Sequence, residues 1–391
     1  MNIVYRLCPL FPVLAIIYCM ICKTNLRLCR KYYLAFGSVL GGIGYTFVPK
    51  NVIDYTRYQE QIEYILGGGS LLNIIANDSE KLFLRDIVFY VIGQFENEQV
   101  LAVVTATITY TIVAYILFDT VNNVLKNKIN YFYVFAIFIF SVSVVPVFTV
   151  ISLTRNVLCF AIMFLGLYLE IIYKKRLIPY LIYVSMVFFH HSAIIFIVAK
   201  LMIPFIRINP IYLITPIVAV LVMYAVGDVT NYFFSSDHIV YITVHRILGY
   251  IENNNYGWGV DMFKYDSEKI NFCYQVVFLC VNLFFQFILK TKIGEYEKLL
   301  RLIFAFGLIS ICCIFINPGV FARFISVQSL FSVIIFSKLF ICCSNKTVRL
   351  CITSIVCFGF VKILFDMVCY YSFVDMSDFF SNYVFGALKF L

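Results

Sequence analysis

Three residues with chemically active side chains lie in segments that are otherwise apolar. Arg155 stands between two apolar runs, and the pair His190–His191 interrupts a third. An arginine at the centre of a bilayer costs about 2.5–3.5 kcal/mol on insertion scales, so such residues usually line a cavity or lie at an interface. The basic cluster 174–176 separates them in sequence. We therefore expect Arg155 and the histidines near the opposite membrane face, where they can be neighbours.

These residue types suit the chemistry of a phosphorylated sugar. An arginine can bind an anionic group through a forked pair of hydrogen bonds, and a second one, Arg323, follows a late apolar run. A guanidinium about 4 Å from a phosphate gains about 4 kcal/mol at an effective dielectric of about 20. That is enough to hold a diphosphate or to stabilise it as a leaving group. A nearby histidine is a candidate general base toward a sugar hydroxyl. For each arginine alone, anchoring of its helix to lipid headgroups is an equally good interpretation.

The composition indicates an integral membrane protein. Of its 391 residues, 62% are hydrophobic and 13% are charged, and the mean hydropathy is +0.93. A soluble domain carries about 25% charged residues. Apolar runs of about 17–22 residues predict helices and not the alternating strands of an outer-membrane barrel. The net charge of +9 fits basic cytoplasmic loops and does not indicate nucleic acid as a partner.

The apolar runs predict an all-α polytopic membrane protein, a bundle of about 11–12 transmembrane helices. We see no internal repeat and no linker, so residues 1–391 are predicted to form a single domain. The distribution of Lys and Arg places two long loops outside, residues 49–99 and 228–270. In the first loop, a short apolar piece that carries Arg85 and Asp86 predicts an interfacial or re-entrant helix.

Residues 177–206 allow two arrangements. One long span would put Arg207 and the basic cluster 290–301 outside, whereas two short helices that meet at His190–Ser192 would put them inside. The basic residues favour the second, a re-entrant or short-helix hairpin. Each half has only about 13 residues, or about 20 Å of helix, which is less than the bilayer core of about 30 Å. The histidines would then lie in a polar pit below the outer surface.

Two further patterns concern the packing of helices. Glycines at positions 37, 41, 42 and 44 lie on neighbouring turns of the second apolar run, and small residues there favour close helix contacts. Near the C-terminus, Lys362 and Asp366 are four residues apart in an apolar run. This spacing predicts an intramembrane ion pair with a structural role.

Other chemistries have little support in the sequence. It contains no H-E-x-x-H, no P-loop and no G-x-G-x-x-G, and the external loops have no Asp-x-Asp spacing. We therefore expect a reaction that needs no metal. In the second external loop, Tyr256 and Trp258 could stack on sugar faces, although aromatic residues are also common at membrane interfaces.

Several short motifs together resemble a known family, the EpsG-like branch of the Wzy-type polymerases of O-antigen and exopolysaccharide. The motifs are Arg155-Asn156 with Ala161, Lys174-Lys175-Arg176, Phe189-His190-x-Ser192-Ala193, Asp54-Tyr55-x-x-Tyr58 and Ala322-Arg323-Phe324. The resemblance covers residues 45–340 and is strongest over 152–203. Members typically have Arg-Gln where this chain has Arg155-Asn156, and Gly-x-Asp where it has Val52-Ile53-Asp54.

The resemblance implies a reaction at the outer face of the bacterial inner (cytoplasmic) membrane. A glycan on undecaprenyl diphosphate is transferred to the terminal sugar of another lipid-linked repeat unit. Arg155 and Arg323 would bind the diphosphates. His190 or His191 would orient or deprotonate the acceptor hydroxyl, and Asp54 would be a further catalytic residue.

The same resemblance implies the remaining partners. Tyr58 would bind glycan together with Tyr256 and Trp258. The donor is already activated, so no cofactor is expected. Besides the lipid-linked glycan and membrane lipids, a chain-length regulator protein is an expected partner.

Two other classes of protein compete with this interpretation. A transporter or flippase of lipid-linked oligosaccharide also needs cationic groups, but it should keep its polar residues near the bilayer midplane and show repeat symmetry. Here they collect on one face beside two long external loops, which favours an enzyme. An O-antigen ligase shares the donor and differs in its acceptor, and the sequence separates it poorly from a polymerase.

Overall fold

The structure is a computed structural model that describes most of the chain between residues 54 and 369. It covers residues 54–67, 69–77, 82–95, 99–125, 146–233, 266–289, 296–316, 318–342 and 346–369, together with 37, 40, 41, 44 and 143. Tyr256 and Trp258 lie outside the described residues.

Helices are the regular elements of the described residues, which confirms the all-α prediction. They are α1 (Asp54–Leu66), α2 (Leu71–Asn77), α3 (Phe83–Gly93), α4 (Val100–Leu125), α5 (Val147–Ser152), α6 (Thr154–Tyr173), α7 (Leu177–Val187), α8 (Ala193–Met202), a 3-10 helix (Pro210–Ile214), α9 (Thr215–Phe233), α10 (Asp266–Leu289), α11 (Glu297–Ile316), α12 (Pro318–Cys342) and α13 (Lys346–Cys369).

Four helices among the described residues are long and apolar enough to cross a membrane. These segments are Val100–Val121, Thr154–Tyr173, Lys269–Leu289 and Gly319–Leu339. Both α7 and α8 are apolar but shorter. The chain is therefore a polytopic membrane protein, whereas the full number of spans and their orientation stay predictions.

The chain divides into two compact units, residues 1–198 with 329–391, and residues 199–328. In the first unit, α6 packs against α4 and α7, and α1 packs against α3. In the second unit, α11 packs against α9 and α10. The expectation of a single domain stays a prediction.

Glycines of the second apolar run confirm the predicted close packing. A Cβ on Gly37 would lie 1.9 Å from Thr111 Oγ1 and 2.5 Å from the carbonyl oxygen of Thr107. A Cβ on Gly41 would lie 1.9 Å from Thr107 Oγ1. The two glycines and the two threonines are each four residues apart, so one helix face meets one face of α4 at backbone distance.

The predicted break within residues 177–206 is present. Helix α7 ends at Val187, α8 begins at Ala193, and the turn between them carries His190–Ser192. A turn thus separates two short helices, and the membrane side of Arg207 stays a prediction.

The predicted ion pair of α13 is also present. Lys362 Nζ contacts Asp366 Oδ1, and both side chains are buried. This confirms an ion pair between residues four apart inside an apolar helix.

Candidate functional site

Arg155 lies in the first turn of α6, where a side chain from α1 holds its guanidinium. Its Nε donates a hydrogen bond of 2.8 Å to Tyr58 Oη, and its guanidinium carbon is 4.9 Å from the centre of the Tyr58 ring. Tyr58 is buried and Arg155 is half-buried. Nε of Arg155 faces the tyrosine. A forked contact of this guanidinium with a phosphate would therefore use its two terminal nitrogens. The N-terminal turn of a helix also favours an anion there.

Helix α3 lies against α1 and carries a buried ion pair. The rings of Tyr58 and Phe89 are 5.5 Å apart at 59°. One turn earlier on α3, Arg85 binds Asp86 Oδ1 through Nε at 2.9 Å and through a terminal nitrogen at 2.8 Å. Gln61 of α1 approaches the same oxygen at 3.5 Å. The two charged side chains, which in the sequence predicted an interfacial or re-entrant helix, are therefore part of the α1–α3 contact.

The start of α3 contacts the turn that follows α7. The backbone N–H of Leu84 donates to the carbonyl oxygen of Phe188 at 3.3 Å, and the rings of Phe83 and Phe188 are 4.3 Å apart. Phe188 is two residues before His190 in sequence. The first long loop thus contributes contacts to both Arg155 and the turn with the histidines.

The ring of His190 is oriented by Ser192. The backbone N–H of Ser192 donates to His190 Nδ1 at 3.1 Å, and Ser192 Oγ is 2.6 Å from the same nitrogen. A backbone amide can only donate, so Nδ1 must present its lone pair, and we assign the proton of the neutral ring to Nε2. His190 therefore offers an N–H donor through Nε2. The neighbouring His191 is exposed.

Ser192 also connects this turn to the helix of Arg155. The side chain of Ser192 lies next to that of Cys159, which is one turn after Arg155 on α6, about 6 Å along the axis. The rings of Phe160 and Phe196 pack next to this contact at 5.2 Å. The turn that carries His190 thus lies against α6 about one helical turn after Arg155, within the first unit, and a shared site for the two residues stays a prediction.

A closed series of contacts defines the site. From Arg155 it passes to Tyr58 of α1, then to α3, then to the turn after α7, and returns to α6 through Ser192 and Cys159. The sequence motifs identified Arg155 and His190. They did not indicate that α3 contacts the segments of both residues, and its only unusual feature in the sequence was the opposite charges of Arg85 and Asp86 in an apolar stretch.

The other predicted site residues belong to the second unit or have side chains outside the described residues. Arg323 is half-buried on α12 in the second unit, and its convergence with Arg155 stays a prediction. Asp54 is the first residue of α1, one turn before Tyr58, and its side chain lies outside what the structure describes. In the described part of the chain, no three His, Cys, Asp or Glu side chains are grouped so that they could hold a metal ion.

These observations define an α-helical polytopic membrane protein in which Arg155 and His190 are each held by a neighbouring side chain among apolar helices. The chain belongs to the EpsG family, whose family model matches residues 9–385. This is a family of Wzy-like polysaccharide polymerases, so the resemblance seen in the sequence is confirmed over nearly the whole chain. No curated protein and no solved structure matches the chain.

Proposed function

We propose that this protein joins undecaprenyl-diphosphate-linked oligosaccharide repeat units into an O-antigen or exopolysaccharide at the outer face of the bacterial inner membrane. Its family supports the class of reaction. The observation that carries the proposal for the site is the guanidinium of Arg155, held by Tyr58 close to the turn that bears His190. A cation fixed beside a hydrogen-bond donor suits an anionic leaving group.

The proposed reaction is a glycosyl transfer. A hydroxyl oxygen of the acceptor sugar forms a bond to the anomeric carbon of the donor glycan. The bond from that carbon to the diphosphate oxygen breaks, and its electron pair leaves with undecaprenyl diphosphate. Negative charge therefore grows on the diphosphate, where the terminal nitrogens of Arg155 would bind it. Tyr58 restrains the guanidinium beforehand, so less freedom is lost on binding.

Arg323 is the proposed second cation of the site. Two lipid-linked substrates carry two diphosphates, and one guanidinium binds one of them in the forked geometry. Arg323 would bind the other diphosphate. Tyr256 and Trp258 would contact the glycans through their rings. The ring of Tyr58, predicted from the sequence to bind glycan, is buried between Phe89 and Arg155, so its proposed role is to hold the guanidinium. A chain-length regulator protein is the proposed protein partner.

His190 suits the role of a donor better than that of a base. With Nδ1 occupied by the backbone N–H of Ser192, its Nε2–H can donate to the departing phosphate oxygen. The proton of the acceptor hydroxyl then passes to another group, and Asp54 or His191 is the proposed acceptor of that proton. The reaction is balanced without a redox partner or a cofactor.

Substitution of the two arginines tests the site. Arg155→Ala and Arg323→Ala should each abolish long-chain polysaccharide while the protein level stays normal. Arg155→Lys and Arg323→Lys should also be poor, because an ammonium group cannot reproduce the forked contact to phosphate. The matched control is Arg207→Ala, which removes an exposed arginine and should leave the polysaccharide unchanged. Full activity of both lysine variants would show that only a positive charge is needed, and it would overturn the proposed diphosphate contact.

A further inference from the structure

Arg85 and Asp86 are buried charges that the proposed reaction does not use. The side chain of Arg85 is 7% exposed and that of Asp86 is 0% exposed. Neighbouring residues on a helix point in directions about 100° apart and do not normally face each other. The guanidinium must therefore fold back along α3 to direct two of its N–H groups at one carboxylate oxygen. This geometry fixes its orientation.

A buried ion pair is weak evidence for a role in stability. Desolvation of two charges can outweigh their attraction, and well-packed apolar residues often replace such a pair without loss of stability. Other contacts already hold α3 in place, because Phe89 packs on Tyr58 and a Cβ on Gly93 would lie 2.8 Å from the Ile65 side chain. The ion pair is therefore not needed to hold α3 against α1.

The position of the pair suggests that role. On one side, Gln61 connects Asp86 Oδ1 to α1, three residues after the tyrosine that holds Arg155. On the other side, Leu84 precedes the pair and donates to Phe188, next to the turn of His190. The pair thus lies between the two residues that the proposed reaction needs at a defined separation.

We propose that Asp86, together with Arg85, is a positioning residue that sets the separation between the Arg155 guanidinium and the His190 ring. The inference rests on the proposed function, because it assigns the pair to the same site. Tyr58 transmits the constraint to Arg155, and Phe188 transmits it to His190. A misplacement of about 1 Å in a reacting geometry can lower a rate about a hundredfold. Loss of the pair should therefore affect turnover more than substrate binding.

The test is the double variant Arg85→Leu/Asp86→Leu in the full-length purified protein, assayed with lipid-linked repeat units. It removes a cation and an anion together, so the net charge presented to the diphosphate is unchanged. We expect kcat to fall at least about thirtyfold while KM changes less than about threefold. The midpoint of thermal unfolding should stay within about 3 °C of wild type.

A matched control is available in α13. Lys362→Leu/Asp366→Leu removes another buried ion pair of zero net charge, on a helix that contributes no residue to the series of contacts. It should keep at least about half of the wild-type kcat. A kcat of Arg85→Leu/Asp86→Leu equal to that of this control would overturn the proposal and leave the pair as a packing element. Absence of product from the wild-type protein would instead contradict the proposed function.

Two further variants keep the proposal testable if the double variant does not fold. Asp86→Asn keeps the shape of the side chain, and we expect kcat to fall about tenfold at unchanged KM. Combined with Tyr58→Phe, which removes the hydroxyl that holds Arg155, its effect should be less than multiplicative because both act through one geometry. An unchanged kcat for Asp86→Asn, or simple multiplication of the two effects, would overturn the proposal.

Discussion

At the scale of single residues, the chemistry of His190 depends on a serine two positions later. The backbone N–H of Ser192 donates to Nδ1, so the neutral ring carries its proton at Nε2. A neutral histidine held in this tautomer carries its N–H donor in a fixed direction. The residue that holds it, Ser192, is only two positions away in the sequence. The spacing His190-x-Ser192 is thus a structural signal that can be read directly from the sequence.

Substitution of His190 by glutamine or by asparagine distinguishes a hydrogen-bond donor from a general base at this position. The amide nitrogen of a glutamine at 190 can approach the place of Nε2, so His190→Gln should lose less than about tenfold in rate. An asparagine can accept from the Ser192 N–H but does not reach the substrate, so His190→Asn should lose about a hundredfold or more. Initial rates of polymer formation by the purified variants measure both. Equal and complete loss in the two variants would favour a general base.

At the scale of elements, glycines make a close helix contact with α4. A Cβ at position 37 would meet both a side chain and the backbone carbonyl oxygen of Thr107, and a backbone atom cannot turn away. We expect Gly37→Ala to destabilise the protein by about 1–3 kcal/mol, in spite of the better helix propensity of alanine. The measurement is the midpoint of thermal unfolding in detergent.

Gly67 provides the control for this prediction. It is exposed, and a Cβ there would meet its nearest atoms at 3.5 Å, which is an ordinary contact. Gly67→Ala should leave the unfolding midpoint within about 2 °C of wild type. A Gly37→Ala variant as stable as Gly67→Ala would contradict the close contact with α4.

Periodicity and polarity in the sequence predicted these elements, but not the contacts between distant ones. Apolar runs predict helices because a bilayer requires them, and Gly37 and Gly41 predict close packing because their spacing follows one helix face. The polar residues at 190–192 predicted the break after α7. The burial of Asp86 depends on Gln61 and Arg85, and the contact of Leu84 with Phe188 joins distant segments. Such tertiary contacts leave no periodic signal in a single sequence.

At the scale of the whole molecule, the orientation in the membrane determines which groups share a face. The excess of Lys and Arg in alternate loops predicts that residues 54, 155, 258 and 323 are external and that 175 and 295 are cytoplasmic. Single cysteines placed next to these residues in a background without the fourteen native cysteines should react from the predicted side only. Labelling of position 295 from outside would contradict the orientation predicted for the two short helices at 177–206.

Reconstitution shows whether this chain polymerises lipid-linked repeat units by itself. Purified protein is incubated with undecaprenyl-diphosphate-linked repeat units, without nucleotide and with a chelator present, and the products are separated on a gel. We expect a ladder of chain lengths from the wild type and only single repeat units from Arg155→Ala. A wild-type protein that forms no ladder, but moves the lipid-linked units across a vesicle membrane, would contradict the proposed polymerisation and identify a flippase.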